Sequence, residues 1–281
     1  MNDPAFDPNA TDYVPANALW LAKASALAYN PDEKEIRKTL KAWGLPRFRM
    51  MSVGGTQMFV AGNDKAMILA FRGTEKNLED WLSDVKVKLT GGPFGMIHEG
   101  FGLALSSVWA QVLEAIKDYQ DKGQGLWITG HSLGAALATL ATAKFLEKPM
   151  QVPGLQTQVR GLYTFGSPRV GNGDFTKKFD ELFKSKTFRF VHNRDIVTRV
   201  APRVVLGYDH VGHVYYIDKD GVLHTDPSAW NMFLEAVKST VTNPFILQIQ
   251  GKHINAIEDH SIDGYILKIE KQIQQLANPQ G

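Results

Sequence analysis

Residues 125–146 read GLWITGHSLGAALATLATAKFL. An apolar, strand-like run from Leu126 to Thr129 meets the tight sequence Gly130-His131-Ser132-Leu133-Gly134 and passes directly into an Ala-rich helical segment. A strand that turns straight into a helix leaves its central side chain in a strained backbone conformation, oxygen outward, and the close packing there demands small neighbours. Gly130 and Gly134 supply them on either side of Ser132, while Ala135 and Ala136 let the helix lie close to the strand. A serine in this position has the geometry of a nucleophile, and the first N–H groups of the following helix favour developing negative charge. A serine that only caps a helix gives the same short pattern; the strand before it and the helix after it favour the catalytic reading.

The flanking chain alternates strands and helices. Helical spacing is predicted over Ala16–Tyr29 and Asp32–Ala42, with Pro31 and Gly44 as stops. Gln57–Ala61 and Ala66–Arg72 read as two strands joined at Gly62-Asn63-Asp64. Apolar positions from Leu103 to Ile116 keep a helical period over Gly100–Tyr119. A strand at Val159–Phe165, a helix at Gly173–Phe183, a strand at Phe188–His192 and an edge hairpin of Val211–Ile217 with Gly221–His224 follow. Helical patterns return at Ser228–Val241 and Ser261–Leu276. The alternation from residue 57 to about residue 192 predicts an α/β fold with a mostly parallel central sheet and helices on both faces. In such sheets, active sites gather at the carboxyl ends of the strands.

Composition narrows the possible functions. The 281 residues are 44% hydrophobic and 21% charged, an ordinary globular balance for one α/β domain spanning 1–281. Thirty-one basic against 29 acidic residues leave a net charge of +2 without a dense basic block, so no nucleic-acid partner is expected. The absence of cysteine excludes disulfides and thiolate nucleophiles, and no metal site is expected. MNDPAFDPNATDYVP is acidic and proline-rich, unlike a secretory signal, and no transmembrane run stands out. A soluble protein is expected, its compartment open between the cytoplasm and a mature secreted form. The oligomeric state is not legible.

A serine hydroxyl becomes a good nucleophile when an imidazole takes its proton and a carboxylate holds that imidazole. Hydrolases of this fold place the three in the order Ser, acid, His. His192, His213 and His224 lie within strand patterns and read as packed or surface residues. His260, in EDHSIDGY at the start of the last helix, is the first choice, with His253 and then His210 behind it. Asp195 closes the strand ending at His192 and precedes apolar Ile196 and Val197; Asp209 and Asp226 are its alternatives. For the oxyanion, the Leu133 N–H follows from the turn, and Thr74 in FRGTE is the second donor that fits.

FRGTE, IHEGF, ITGHSLGAALA, TFGSPRVGN, HNRDIV and DHSIDGY together resemble the class 3 lipases, the fungal-type triacylglycerol lipases of the α/β-hydrolase superfamily. The resemblance implies Ser132, Asp195 and His260 as a catalytic triad, and Thr74 with Leu133 as the oxyanion hole. It makes His98, Phe101, Gly166, Pro168, Arg169 and Asn172 structural supports. It also implies a lid at about 75–95 and an acyl-binding wall that includes Val197, Val200, Pro202 and Val205. The lid has a pattern of its own: Leu78, Trp81, Leu82 and Val85 recur on one face of a helix, with Gly91, Gly92 and Gly95 as hinges. A fixed surface helix would give the same pattern. Fungal members are typically secreted and disulfide-bonded, and this chain lacks cysteine.

The expected activity is hydrolysis of acyl glycerolipid esters without a cofactor, at a transient lipid–water interface. Phospholipase A1, galactolipase and feruloyl esterase share the scaffold. A non-catalytic lipid-binding homologue would be expected to carry a damaged triad, which this sequence does not show.

Overall fold

The structure is a computed structural model and describes residues 3–73, 88–120, 124–147, 158–200, 207–225, 231 and 258–278. Its elements are α1 (Pro15–Leu27), α2 (Glu33–Ala42), β1 (Arg47–Val53), β2 (Thr56–Gly62), β3 (Ala66–Phe71), β4 (Leu89–Gly92), β5 (Gly95–His98) and α3 (Glu99–Tyr119). After these come β6 (Gly125–His131), α4 (Leu133–Glu147), β7 (Gln158–Phe165), β8 (Gly171–Asn172) and α5 (Gly173–Phe183). The last group is β9 (Thr187–His192), β10 (Tyr208–Asp209), β11 (His213–Ile217), β12 (Leu223–Thr225) and α6 (Ile262–Ala277).

The predicted strand before Ser132 is β6, and every one of its residues is buried. It lies between β3 and β7 in an eight-stranded sheet of order β1-β2-β3-β6-β7-β9-β11-β12. The strands from β3 to β11 run parallel, and antiparallel β1, β2 and β12 complete the two edges. Both faces are covered, as expected for such a sheet. Leu126 and Ile128 point into a core shared with α3, α4 and α5, while Trp127 points into a second core with α1, α2 and α6. That alternation is the period of two of an extended chain, applied to a strand with protein on each side.

Register brings the strand ends level. Phe71 pairs with Gly130, His131 with Phe165, and Phe165 with Phe190. Residues 72–73, 131–132, 166 and 192–195 therefore leave the sheet along one edge.

Two parts of the fold differ from the sequence expectation. β1 was not predicted: its Arg47 and Arg49 turn outward to Asp64 at 2.8 Å and Asp118 at 3.1 Å, so charge interrupts the apolar pattern of a real strand. The glycines expected to act as hinges belong to a β4–β5 hairpin, in which Gly91 pairs with Met96 and Gly92 with Gly95. This hairpin joins β8 and β10 in a small four-stranded sheet. The expected lid positions Leu78, Trp81, Leu82 and Val85, and the Ser228–Val241 helix except Asn231, lie outside the described residues.

Because Ile128 is fully buried beneath the turn, Ile128→Ala is expected to lower unfolding free energy by about 2–5 kcal/mol, measured by chemical denaturation.

Candidate active site

The backbone at Ser132 has φ +60°, in the left-handed region that non-glycine residues seldom occupy. Strain of this kind persists only where the surroundings over-determine it. The Ser132 N–H donates to the carbonyl of Phe165 at 3.0 Å, and the Ser132 carbonyl accepts from the N–H of Ala135 at 3.0 Å, so both sides of the peptide are held. A Cβ at Gly130 would collide with the backbone of Gly134, and one at Gly134 with the carbonyl of Phe71. The small residues are thus required where the sequence placed them. Leu133 opens α4, whose first-turn N–H groups have no partner within the helix. Thr74 lies outside the described residues.

Asp195 and His260 meet at the same edge. His260 Nδ1 lies 2.9 Å from both carboxylate oxygens of Asp195, and the pair is closed off from solvent. Two further donors converge on the carboxylate: the Tyr265 hydroxyl on Oδ2 at 2.6 Å and the Val197 N–H on Oδ1 at 2.9 Å. Burial alone would raise the Asp195 carboxyl, but the His260 charge and the hydrogen bonds from His260 and Tyr265 outweigh it and leave it below its ordinary value. Burial, then the neighbouring Asp195 charge, raise the Tyr265 hydroxyl well above its usual range, so it stays a donor.

The loop carrying His260 is tied down from two sides. Asp259 accepts from Asn193 Nδ2 at 2.9 Å and from the Arg194 N–H at 3.2 Å, and its main-chain oxygen lies 3.0 Å from His192 Nδ1. Gly166, with φ +60°, faces the pair itself: a Cβ there would stand 2.7 Å from Asp195 Oδ2 and 2.8 Å from His260 Nδ1. A glycine is needed for both reasons.

Ser132, Asp195 and His260 therefore share one sheet edge, with Asp195 and His260 hydrogen-bonded. No hydrogen bond joins Ser132 to His260, and His260 Nε2 is buried without a partner among the described residues. Such contacts are often long before substrate is bound. The alternatives are engaged elsewhere or lie outside the described residues: Asp209 Oδ1 accepts the His210 N–H at 2.9 Å. His210 Nε2 is 2.8 Å from the Thr198 carbonyl, whereas His253 and Asp226 are not described. Val197 is fully buried and engages Asp195 through its backbone, Val200 is half-buried, and Pro202 and Val205 are outside the described residues.

Three of the residues expected to be supports, His98, Phe101 and Asn172, make local structural contacts. His98 caps α3 by accepting the Phe101 N–H at 3.4 Å and stacks on the Phe101 ring; Asn172 Oδ1 accepts from Met96 and Phe175. Tyr265 was not singled out from the sequence, although its place five residues after His260, at the start of an amphipathic helix, was a usable signal. A cleft of about 750 Å³ beside Trp20 and Trp43 opens near Ala66, at the opposite end of the strands.

Residues 68–205 match the family described as Lipase (class 3). Phospholipase A(1) DAD1 of Arabidopsis thaliana is 34% identical over 161 residues, covering 50% of this chain and 34% of that protein. Secreted mono- and diacylglycerol lipase A of Penicillium cyclopium is 33% identical over 159 residues, covering 55% of this chain and 48% of its own. A crystal structure of MDLA from Penicillium cyclopium superposes with a TM-score of 0.60 at 26% identity, over 75% of this chain and 82% of the other. The fold is that of the α/β-hydrolases. The chain spans less than two thirds of the length of the curated relatives it matches. Among the described residues, no helix is long and apolar enough to cross a membrane.

Since the folded Asp195 carboxyl lies below its unfolded value, it stabilises the fold above roughly pH 4, the ordinary carboxylate value, and that contribution is lost as pH falls through the lowered folded value. Tyr265→Phe is expected to cost about 1.5–3 kcal/mol near neutral pH and, by moving the folded carboxyl back toward its unfolded value, to make the loss on acidification smaller. Melting midpoints followed from pH 7 to 3 check this; parallel curves for the two proteins would exclude a role for the hydroxyl in holding the carboxylate.

Proposed function

We propose, from the match of residues 68–205 to the class 3 lipase family, that the chain is a serine carboxylester hydrolase acting on acyl glycerolipids. The observation that carries this reading is the strained Ser132 standing at the same strand edge as a buried, hydrogen-bonded His260–Asp195 pair.

In this reading the Ser132 oxygen attacks the ester carbonyl while His260 Nε2 takes the hydroxyl proton. Asp195, held by Tyr265 and the Val197 N–H, keeps the imidazole oriented and balances its charge. The tetrahedral oxyanion is met by the Leu133 N–H and by Thr74, each such donor lowering the barrier by roughly 3–4 kcal/mol. Collapse passes the proton from His260 to the departing alcohol and leaves an acyl-serine. Water, deprotonated by the same imidazole, then releases the fatty acid and restores Ser132. The scheme needs no cofactor.

A mono- and diacylglycerol lipase among the relatives supports a neutral glycerolipid as substrate. The Arabidopsis relative, named a phospholipase A(1), makes phospholipid the second reading. The amphipathic spacing of Leu78, Trp81, Leu82 and Val85 supports a lid that opens at a lipid surface, with Val200, Pro202 and Val205 on the acyl wall.

Ser132→Ala is expected to lower ester turnover by at least roughly 10³-fold and to abolish labelling by a fluorophosphonate probe; full activity in this variant would overturn the proposal. A panel of p-nitrophenyl esters, triglyceride, phospholipid and galactolipid separates the substrate readings. For the lid, the rate on a partly soluble ester is expected to jump as its concentration passes the solubility limit; a smooth saturation curve indicates a fixed helix.

A further inference from the structure

The order Ser, acid, His passes over the histidine that ends β6. His131 is 5% exposed, between Tyr29 just beyond α1 and the loop that carries His260. Its Nδ1 lies 2.8 Å from the Tyr29 hydroxyl and its Nε2 lies 2.6 Å from the main-chain oxygen of His260. The two imidazole rings are 4.5 Å apart.

These partners determine the proton positions. A carbonyl oxygen only accepts, so Nε2 carries the hydrogen. Burial, then the facing His260, lowers the His131 pKa to about 3, so the ring is neutral in neutral solution and has a single N–H. Nδ1 is then an acceptor, and the Tyr29 hydroxyl donates to it. A neutral ring here also spares His260 a neighbouring cation when it takes up the serine proton.

We propose that Tyr29 and His131 form a positioning relay for this hydrolysis: the His260 carbonyl selects the Nε2–H tautomer of His131, the Tyr29 hydroxyl holds that ring by donating to its Nδ1, and the Nε2–H locks the His260 loop to the strand bearing Ser132. The inference rests on the function proposed above. The same pair also touches the third part of the site. At Gly73, the residue before Thr74, a Cβ would collide with the Tyr29 hydroxyl and stand 2.7 Å from the His131 carbonyl. Nucleophile strand, base loop and oxyanion strand thus abut one tyrosine–histidine unit. Small displacements of a base relative to its nucleophile are costly, up to about 100-fold per ångström.

The test is a cycle of Tyr29→Phe, His131→Gln and the double variant on a soluble p-nitrophenyl ester, with melting midpoints recorded alongside. Loss of the hydroxyl leaves the buried Nδ1 without its donor, which loosens the ring and with it the hold on the His260 loop. Tyr29→Phe is therefore expected to lower kcat about tenfold with KM unchanged. Glutamine offers an amide N–H near the Nε2 position and leaves no ring Nδ1 to be satisfied, so His131→Gln is expected to keep most of kcat and to make Tyr29→Phe silent. Wild-type kcat in Tyr29→Phe, or an equal loss on the glutamine background, overturns the relay. Nitrogen-15 spectra of His131 in the wild-type protein read the tautomer without turnover. A protonated Nε2 is expected and a protonated Nδ1 overturns the proposal, whereas activity retained in Ser132→Ala refutes the hydrolase reading separately.

Discussion

The structure depends on how closely α4 can lie against the ends of β3 and β6. Gly130 and Gly134 remove the two Cβ atoms that would hold these backbones apart, and only at that separation can Ser132 be kept at φ +60°. Cores are packed too densely to absorb such a conformation gradually. The central strand, the Ala-rich helix and the hydrogen bond from Ser132 to Phe165 stand or fall together. The burial of every residue of β6 stabilises a backbone conformation that by itself would relax.

A second constraint runs sideways along the strand ends. Parallel pairing brings Phe71, Gly130 and Phe165 into line, so the loops that follow them start from one edge. Gly166 shows how tight that edge is, since the space a side chain would take is filled by the Asp195–His260 pair. Asp195 is buried, which would discourage ionisation, and is then surrounded by three donors that restore it. The carboxylate is therefore oriented by its neighbours, not by solvent.

Much of this was legible in the sequence because the signals are local. The β6–α4 turn is written as a glycine-bounded apolar run, and Gly173–Phe183 is a helix with its Asn172 cap in place. Asp195 and His260 could be chosen by chemistry and chain order, and they meet as expected. What escaped notice depends on distant partners. The outward arginines of β1 find acids on the β2–β3 turn and on α3, and the glycines of the β4–β5 hairpin look the same whether they bend or pair. Tyr29, His131 and Tyr265 each carry a hydroxyl or imidazole whose partner lies at least 70 positions away, and no periodicity records that.

Helices α1 and α6 are fastened together beside the site. Lys23 of α1 pairs with Glu270 of α6 at 2.9 Å, and both helices share the core beneath Trp127 and Phe165. Synthesis runs from the N-terminus, so a nascent chain complete to Thr225 would own the strained serine and the carboxylate while still lacking the imidazole. Helix α1 would meanwhile expose the face that α6 later covers. The Asp195–His260 hydrogen bond is therefore made in the same event that docks α6 onto α1.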